Sequence, residues 1–169
     1  VNMHLHRKEA DFRRLSDEVD SQIKGILHRM SLWLPREDKS EYGSGCFEKL
    51  DKALEEARLC AAANYNNSVL ERNPRELDYI EMREKQSIIL KGIYENIKSI
   101  TFLPEQAKQV AELFGKIEED YHRENTVEEL LNSLGKLLEE MKQQELPASR
   151  KEFEARAILF YILMQTESF

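Results

Sequence analysis

The chain has 169 residues and a net charge of −7, with 34% charged residues and only six glycines and four prolines. That length fits one domain with a single core, and a composition rich in Leu, Glu, Lys and Ala points to an all-α soluble domain. The acidic balance excludes the basic face of a nucleic-acid binder, and no apolar run approaches the ~18 residues of a membrane span.

The predicted first helix runs from His4 to Leu34, where Phe12, Leu15, Val19, Ile23, Ile26, Met30 and Leu34 recur at three- and four-residue steps. Pro35 and the polar stretch to Gly43-Ser44-Gly45 end it, so residues 35–45 read as the one clear linker. A second helix is expected from Cys46 to Leu70, weakened by Asn64-Tyr65-Asn66-Asn67, because Asn disfavours helix interiors. Asn73 is a candidate N-cap for a third helix, from Pro74 to Phe102. Leu77, Ile80, Ile88, Ile93, Tyr94, Ile97 and Ile100 make its stripe, and the apolar centre around "SIILKGIY" should be buried. A fourth helix is expected from Pro104 to Glu124.

The fifth and sixth helices form a doubly capped hairpin over residues 124–163. Thr126-Val127-Glu128-Glu129 and Ser149-Arg150-Lys151-Glu152 both match the capping box, in which a hydroxyl accepts a backbone N–H three residues on and the acid reaches back. Leu130, Leu131, Leu134, Leu137, Leu138 and Met141 give the fifth helix its stripe; Phe153, Ala157, Phe160, Leu163 and Met164 give the sixth its own. No apolar segments alternate with period two. The expected architecture is therefore an antiparallel bundle of about six helices.

Catalytic and metal chemistry find little support. Glu119 and His122 have the Glu-x-x-His spacing of di-iron bundles, but His4, His6 and His28 supply no second such motif. His4-x-His6 lacks a third ligand. Cys46 and Cys60 are the only cysteines; on one helix, fourteen residues put them about 21 Å apart, too far to bridge, and two free thiols suit a reducing compartment. Ser44 has no nucleophile-elbow or phosphate-loop context. Glu128 and Glu129 are explained by the helix dipole. No metal and no cofactor is implied, and the chain does not read as an enzyme.

Arg83 and Arg156 stand out, each lying close to the apolar stripe of its helix. A guanidinium near a core must be paired or must await an anion. Tyr79, Tyr94 and Tyr121 add hydroxyls at comparable positions, and such a set suits a small aromatic carboxylate. The alternative is that the arginines pair with local acids, Glu81 or Glu84 for Arg83 and Glu152 or Glu154 for Arg156. The first fourteen residues form a basic start. Arg7, Lys8, Arg13 and Arg14 face only Glu9 and Asp11, so this segment is +2 and the remainder −9. The positive-inside rule expects such a cluster on the cytoplasmic flank of a span.

The stretches "YHRENTVEELLNSLGKLLEEM" and "ELPASRKEFEARAILFYIL", with "LDYIEMREKQSIILKGIYENIKSI" and "EQAKQVAELFGKIEEDYHREN" before them, resemble the C-terminal domain of the putative aromatic acid exporter family. The resemblance covers Leu77 to Leu163 well and the first two helices loosely. It implies a cytoplasmic helical domain that follows a membrane-embedded region, with that region as its first partner. It places Arg83 and Arg156 in the family's "EMR" and "FExRA" patterns. A role in regulation, assembly or ligand sensing is then expected. A free-standing sensor of small anions, and a pure homo-oligomerisation module using an exposed Phe12–Met30 stripe, are the rival readings.

Overall fold

The computed structural model describes residues 2–69, 72–121 and 127–169. The fold class is all-α. The helices are α1 (Asn2–Trp33), α2 (Cys46–Asn66), α3 (Arg75–Lys98), α4 (Ala107–Asp120), α5 (Val127–Lys142) and α6 (Arg150–Ser168), with no strand among the described residues. Contacts group the chain into two compact units, Val1–Ile23 with Gly45–Ile88, and Lys24–Ser44 with Ile89–Phe169.

The first unit buries Val19 and Ile23 of α1, Phe47, Leu50, Leu54, Ala57 and Ala61 of α2, and Ile80 of α3. Phe12 meets Tyr79 edge to face at 6.2 Å, and Arg58 holds Glu84 through two hydrogen bonds, one of them 2.6 Å. Helix α2 stops at Asn66, four residues short of the expected end, where the asparagine run exhausts helix propensity. Asn73 caps α3 as its sequence suggested: its Oδ1 accepts the Arg75 N–H at 3.0 Å, and the Pro74 carbonyl accepts the first helical bond.

The second unit buries Ile26, Leu27 and Met30 of α1 and Leu34 just beyond it with Leu90, Ile93, Tyr94 and Ile97 of α3 and the inner faces of α4, α5 and α6. Helix α4 begins at Ala107 rather than Pro104, because residues 104–106 form a turn closed by the Ala107 N–H on the Pro104 carbonyl. The Ser149 cap forms, its Oγ accepting from the Glu152 N–H at 3.1 Å, while Glu152 Oε2 reaches one residue past the cap and accepts from the Ala148 N–H at 2.8 Å. Thr126, the cap of the first box, lies outside the described residues, as does His122.

Residues 35–45 join α1 to α2 and are mostly exposed, with Tyr42 fully buried and Lys39 nearly so. Two expectations about burial need correction. Ile88, placed at the buried centre of α3, is 74% exposed. The buried positions run Ile80, Arg83, Ser87, Leu90, Tyr94, Ile97, a three- and four-step stripe interrupted by two polar residues, and Ile88 falls beside it. Helix α6 buries Ala155, Leu159, Ile162, Leu163 and Thr166, so the predicted stripe through Phe153, Ala157 and Met164 is an outer face.

Candidate functional site

Arg83 is buried on α3, where its Nε sits 2.8 Å from Asp20 Oδ1 of α1. Its Nη1 donates to Gln86 Oε1 at 2.7 Å, and its Cζ lies 4.8 Å from the centre of the Tyr79 ring. The Tyr79 hydroxyl donates to Asp20 and accepts from Arg83 Nε. Burial, reinforced by that donation to Asp20, pushes the Tyr79 phenol up to about 12. The expected local acids are occupied elsewhere, Glu81 by Lys85 and Glu84 by Arg58. Arg83 thus braces α1 to α3, and Asp20, the residue that makes this tolerable, was not picked out from sequence.

Tyr94 is fully buried, and its hydroxyl is committed to protein groups. It accepts from Arg29 Nε at 2.7 Å and donates to the Gly43 carbonyl at 2.5 Å, while its ring stacks on Tyr42 with centroids 4.0 Å apart. Lys39 completes this corner: its Nζ donates to the Ile100 carbonyl at 2.9 Å, the Leu34 carbonyl at 3.4 Å and the Arg36 carbonyl, closing the C-terminal ends of α1 and α3. Burial lowers its pKa, with Glu37 opposing. Tyr121 stacks on Phe169 at 6.3 Å.

Arg156 occupies a different setting. Its Nη2 pairs with Glu152 and its Nη1 donates to the Glu145 carbonyl at 2.6 Å. Its Nε is buried without a hydrogen-bond partner. The side chain borders a surface recess of about 260 Å³ between the end of α5, the Leu146-Pro147 loop and the outer face of α6. Gln144 lines the same recess; its Nε2 donates to Gln106 at 2.6 Å, and its Oε1 is likewise buried without a partner. Met141, Leu146, Phe153 and Phe160 supply an apolar lining. Arg83, Tyr94 and Tyr121, the other three candidate ligand residues, do not line this recess.

The basic start lies on α1. Arg7, Arg13 and Arg14 are exposed, and Lys8 is half-buried. Lys8 and His4 line a groove of about 680 Å³ with Tyr65, Val69, Arg75 and Glu76. Asn64 Nδ2 holds the Glu76 carboxylate at 3.0 and 3.1 Å, and burial raises the pKa of that acid against this hydrogen bond. Burial also raises the Cys60 thiol, which keeps it in the less nucleophilic form. Among the described residues no group of three or more His, Cys, Asp or Glu side chains could hold a metal ion, and no helix is long and apolar enough to cross a membrane.

A family model described as putative aromatic acid exporter C-terminal domain matches residues 9–169. The uncharacterized protein YqjA of Bacillus subtilis (strain 168) is 34% identical over 165 residues. That match takes in 98% of this chain and 50% of the relative, so the chain spans about half the length of the curated protein it matches. A crystal structure of a putative membrane protein from Clostridium difficile 630 has a TM-score of 0.82 at 25% identity, with 93% of each chain covered.

Proposed function

We infer the function of this chain from the family to which it belongs, that of the putative aromatic acid exporter C-terminal domain: it is the cytoplasmic helical part of a membrane transport protein, serving assembly or regulation rather than catalysis. The observation that carries this reading is the exposed basic start of α1 in an otherwise acidic chain. Arg7, Lys8, Arg13 and Arg14 are suited to the flank of a membrane-embedded region, the partner implied by a relative of twice this length. The structural neighbour from Clostridium difficile 630, itself described as a putative membrane protein, is consistent with it. The paired arginine Arg83 in one unit and the committed hydroxyl of Tyr94 in the other favour a structural role for these side chains over a chemical one.

The test uses the full-length protein that contains this domain. A single cysteine is placed at exposed Lys136 after Cys46 and Cys60 have been replaced by serine. A membrane-impermeant maleimide should label it in inside-out vesicles and leave it unlabelled in intact cells. Labelling in intact cells overturns the cytoplasmic placement.

Sensing of a small ligand is a second reading, favoured by the recess at Arg156. Pure oligomerisation through the α1 stripe finds less support, since Val19, Ile23, Ile26 and Met30 are all buried within the single chain.

A further inference from the structure

We propose that two copies of this chain pair through the outer faces of their α6 helices, antiparallel about a two-fold axis, with Phe160 of each copy seated in the recess of the other. The inference deepens the assembly reading above and rests on it for its biological purpose. It assigns the recess to a side chain of a second copy rather than to a small molecule.

Phe153, Ala157, Phe160 and Met164 follow one another at steps of four, three and four, the spacing of a helix-pairing seam. The core closes on the opposite side of α6, through Ala155, Leu159, Ile162 and Thr166, so the seam faces outward. Phe153 is 60% and Met164 49% exposed, Ala157 is exposed and Phe160 half-buried. A contiguous apolar strip left outside a core marks an interaction surface. Phe153, Arg156, Ala157 and Phe160 stand at i, i+3, i+4 and i+7, the four-residue hole that accepts a knob from a facing helix, and all four line the recess of about 260 Å³. The small side chain of Ala157 leaves the hole open. Its volume exceeds the ~150 Å³ that holds benzene in an engineered apolar cavity, so one aromatic ring fits.

A second copy is selected as the occupant because the seam matches itself when reversed. A two-fold axis midway between Ile158 and Leu159 sets Ala157 level with Phe160 of the second copy, a small residue against a large one. The same axis sets Phe153 level with Met164 of the second copy, a rigid ring against a flexible chain. Charge fixes the direction. Helix α6 opens on Arg150 and closes near Glu167, both exposed, and the axis brings each Arg150 level with the other copy's Glu167. A parallel pair would set Arg150 against Arg150 and Glu167 against Glu167, which opposes pairing. One helix of 19 residues is about 28 Å long, a smaller contact than a standard interface, so the pair is weak and reversible.

The experiment is light scattering from the 169-residue chain across the micromolar-to-millimolar range. The mass should rise with concentration from 19.9 kDa toward twice that value. Ala157→Glu, at an exposed position in the middle of the seam, should hold the chain at monomer mass with unchanged helical circular dichroism. Ile88→Glu, which removes an exposed apolar residue of α3, should leave association as it is. Direction is read with a short bis-maleimide after Cys46 and Cys60 have been replaced by serine. The thiol introduced by Ala157→Cys sits three residues, about 4.5 Å along the axis, from its counterpart and should cross-link. That introduced by Met164→Cys sits eleven residues away, about 16 Å, and should not. A strict monomer at millimolar concentration, association unchanged in Ala157→Glu, association lost in Ile88→Glu, or equal cross-linking of the two thiols would each overturn the proposal. Because none of these readouts depends on sidedness, their failure is distinct from failure of the cytoplasmic placement.

Discussion

Asp20 and Arg83 form an ion pair 2.8 Å apart with side chains only 7% and 9% exposed, linking the middle of α1 to the middle of α3. Removing one partner of such a pair strands the other charge, which costs about 3–5 kcal/mol, whereas replacing both by apolar groups of similar volume is often neutral. Asp20→Ala should therefore destabilise the chain strongly in chemical denaturation. The double substitution Asp20→Leu with Arg83→Met should recover most of that loss. Equal damage from the single and double changes would count against the brace.

Tyr79 hangs on the same pair, and its raised pKa has a definite sign. The folded state holds the proton up to about 12 while an unfolded tyrosine releases it near 10. Stability from this group is thus complete below pH 10 and drains away as pH rises from about 10 to 12. Tyrosinate absorbance should show one phenol titrating late that is absent in Tyr79→Phe. The same substitution should flatten the loss of stability across that window.

Lys39 presents donors to three carbonyls in a buried corner. Lys39→Met keeps the aliphatic stem but leaves those acceptors short of partners, at a cost of about 1–3 kcal/mol. Trp33, the sole tryptophan, stacks beside Tyr42 at 6.0 Å and lies under the Arg36 guanidinium at 4.7 Å. Its fluorescence should report the disturbance locally, and an unchanged midpoint would mean that water replaces the ammonium without loss.

Ser149 supplies the N-cap of α6, and Ser149→Ala should cost about 1 kcal/mol. Glu152→Ala should cost more, because Glu152 both caps the Ala148 N–H and holds Arg156. Thermal midpoints that rank the two variants in the opposite order would separate the cap from the ion pair.

Gly25 lies exposed within α1, and an added Cβ would meet nothing within 4 Å. Gly25→Ala should stabilise the chain by about 0.5–1 kcal/mol through helix propensity alone. Gly92 offers no such gain, since its Cβ would come within 3.1 Å of the Gln165 amide that holds Asn96. A rise in midpoint for Gly25→Ala and little change for Gly92→Ala is the expected pair of results.

Sequence by itself determined the all-α class, the order of the six helices, the Asn73 and Ser149 caps, and the basic start of α1. Each of these is local: propensity, three-and-four periodicity and a side chain reaching one turn along its own backbone are written in neighbouring residues. Arg83 and Arg156 were legible as unusual for the same reason, a cation set in an apolar stripe. What they do was not legible, because a partner's identity depends on contacts far apart in the chain. Arg83 took Asp20, on a different helix, over its own helix neighbours Glu81 and Glu84. Tyr42 and Lys39 are buried because the tertiary fold brings Tyr94 and the Ile100 carbonyl to a segment that reads as polar linker. On α6, Phe153 and Ala157 share an apolar stripe with Phe160, yet the core closes on Leu159 and Ile162. Periodicity announces that a helix has a face; only packing decides which face meets the core and which is left, with Arg156 and Gln144, to line a recess.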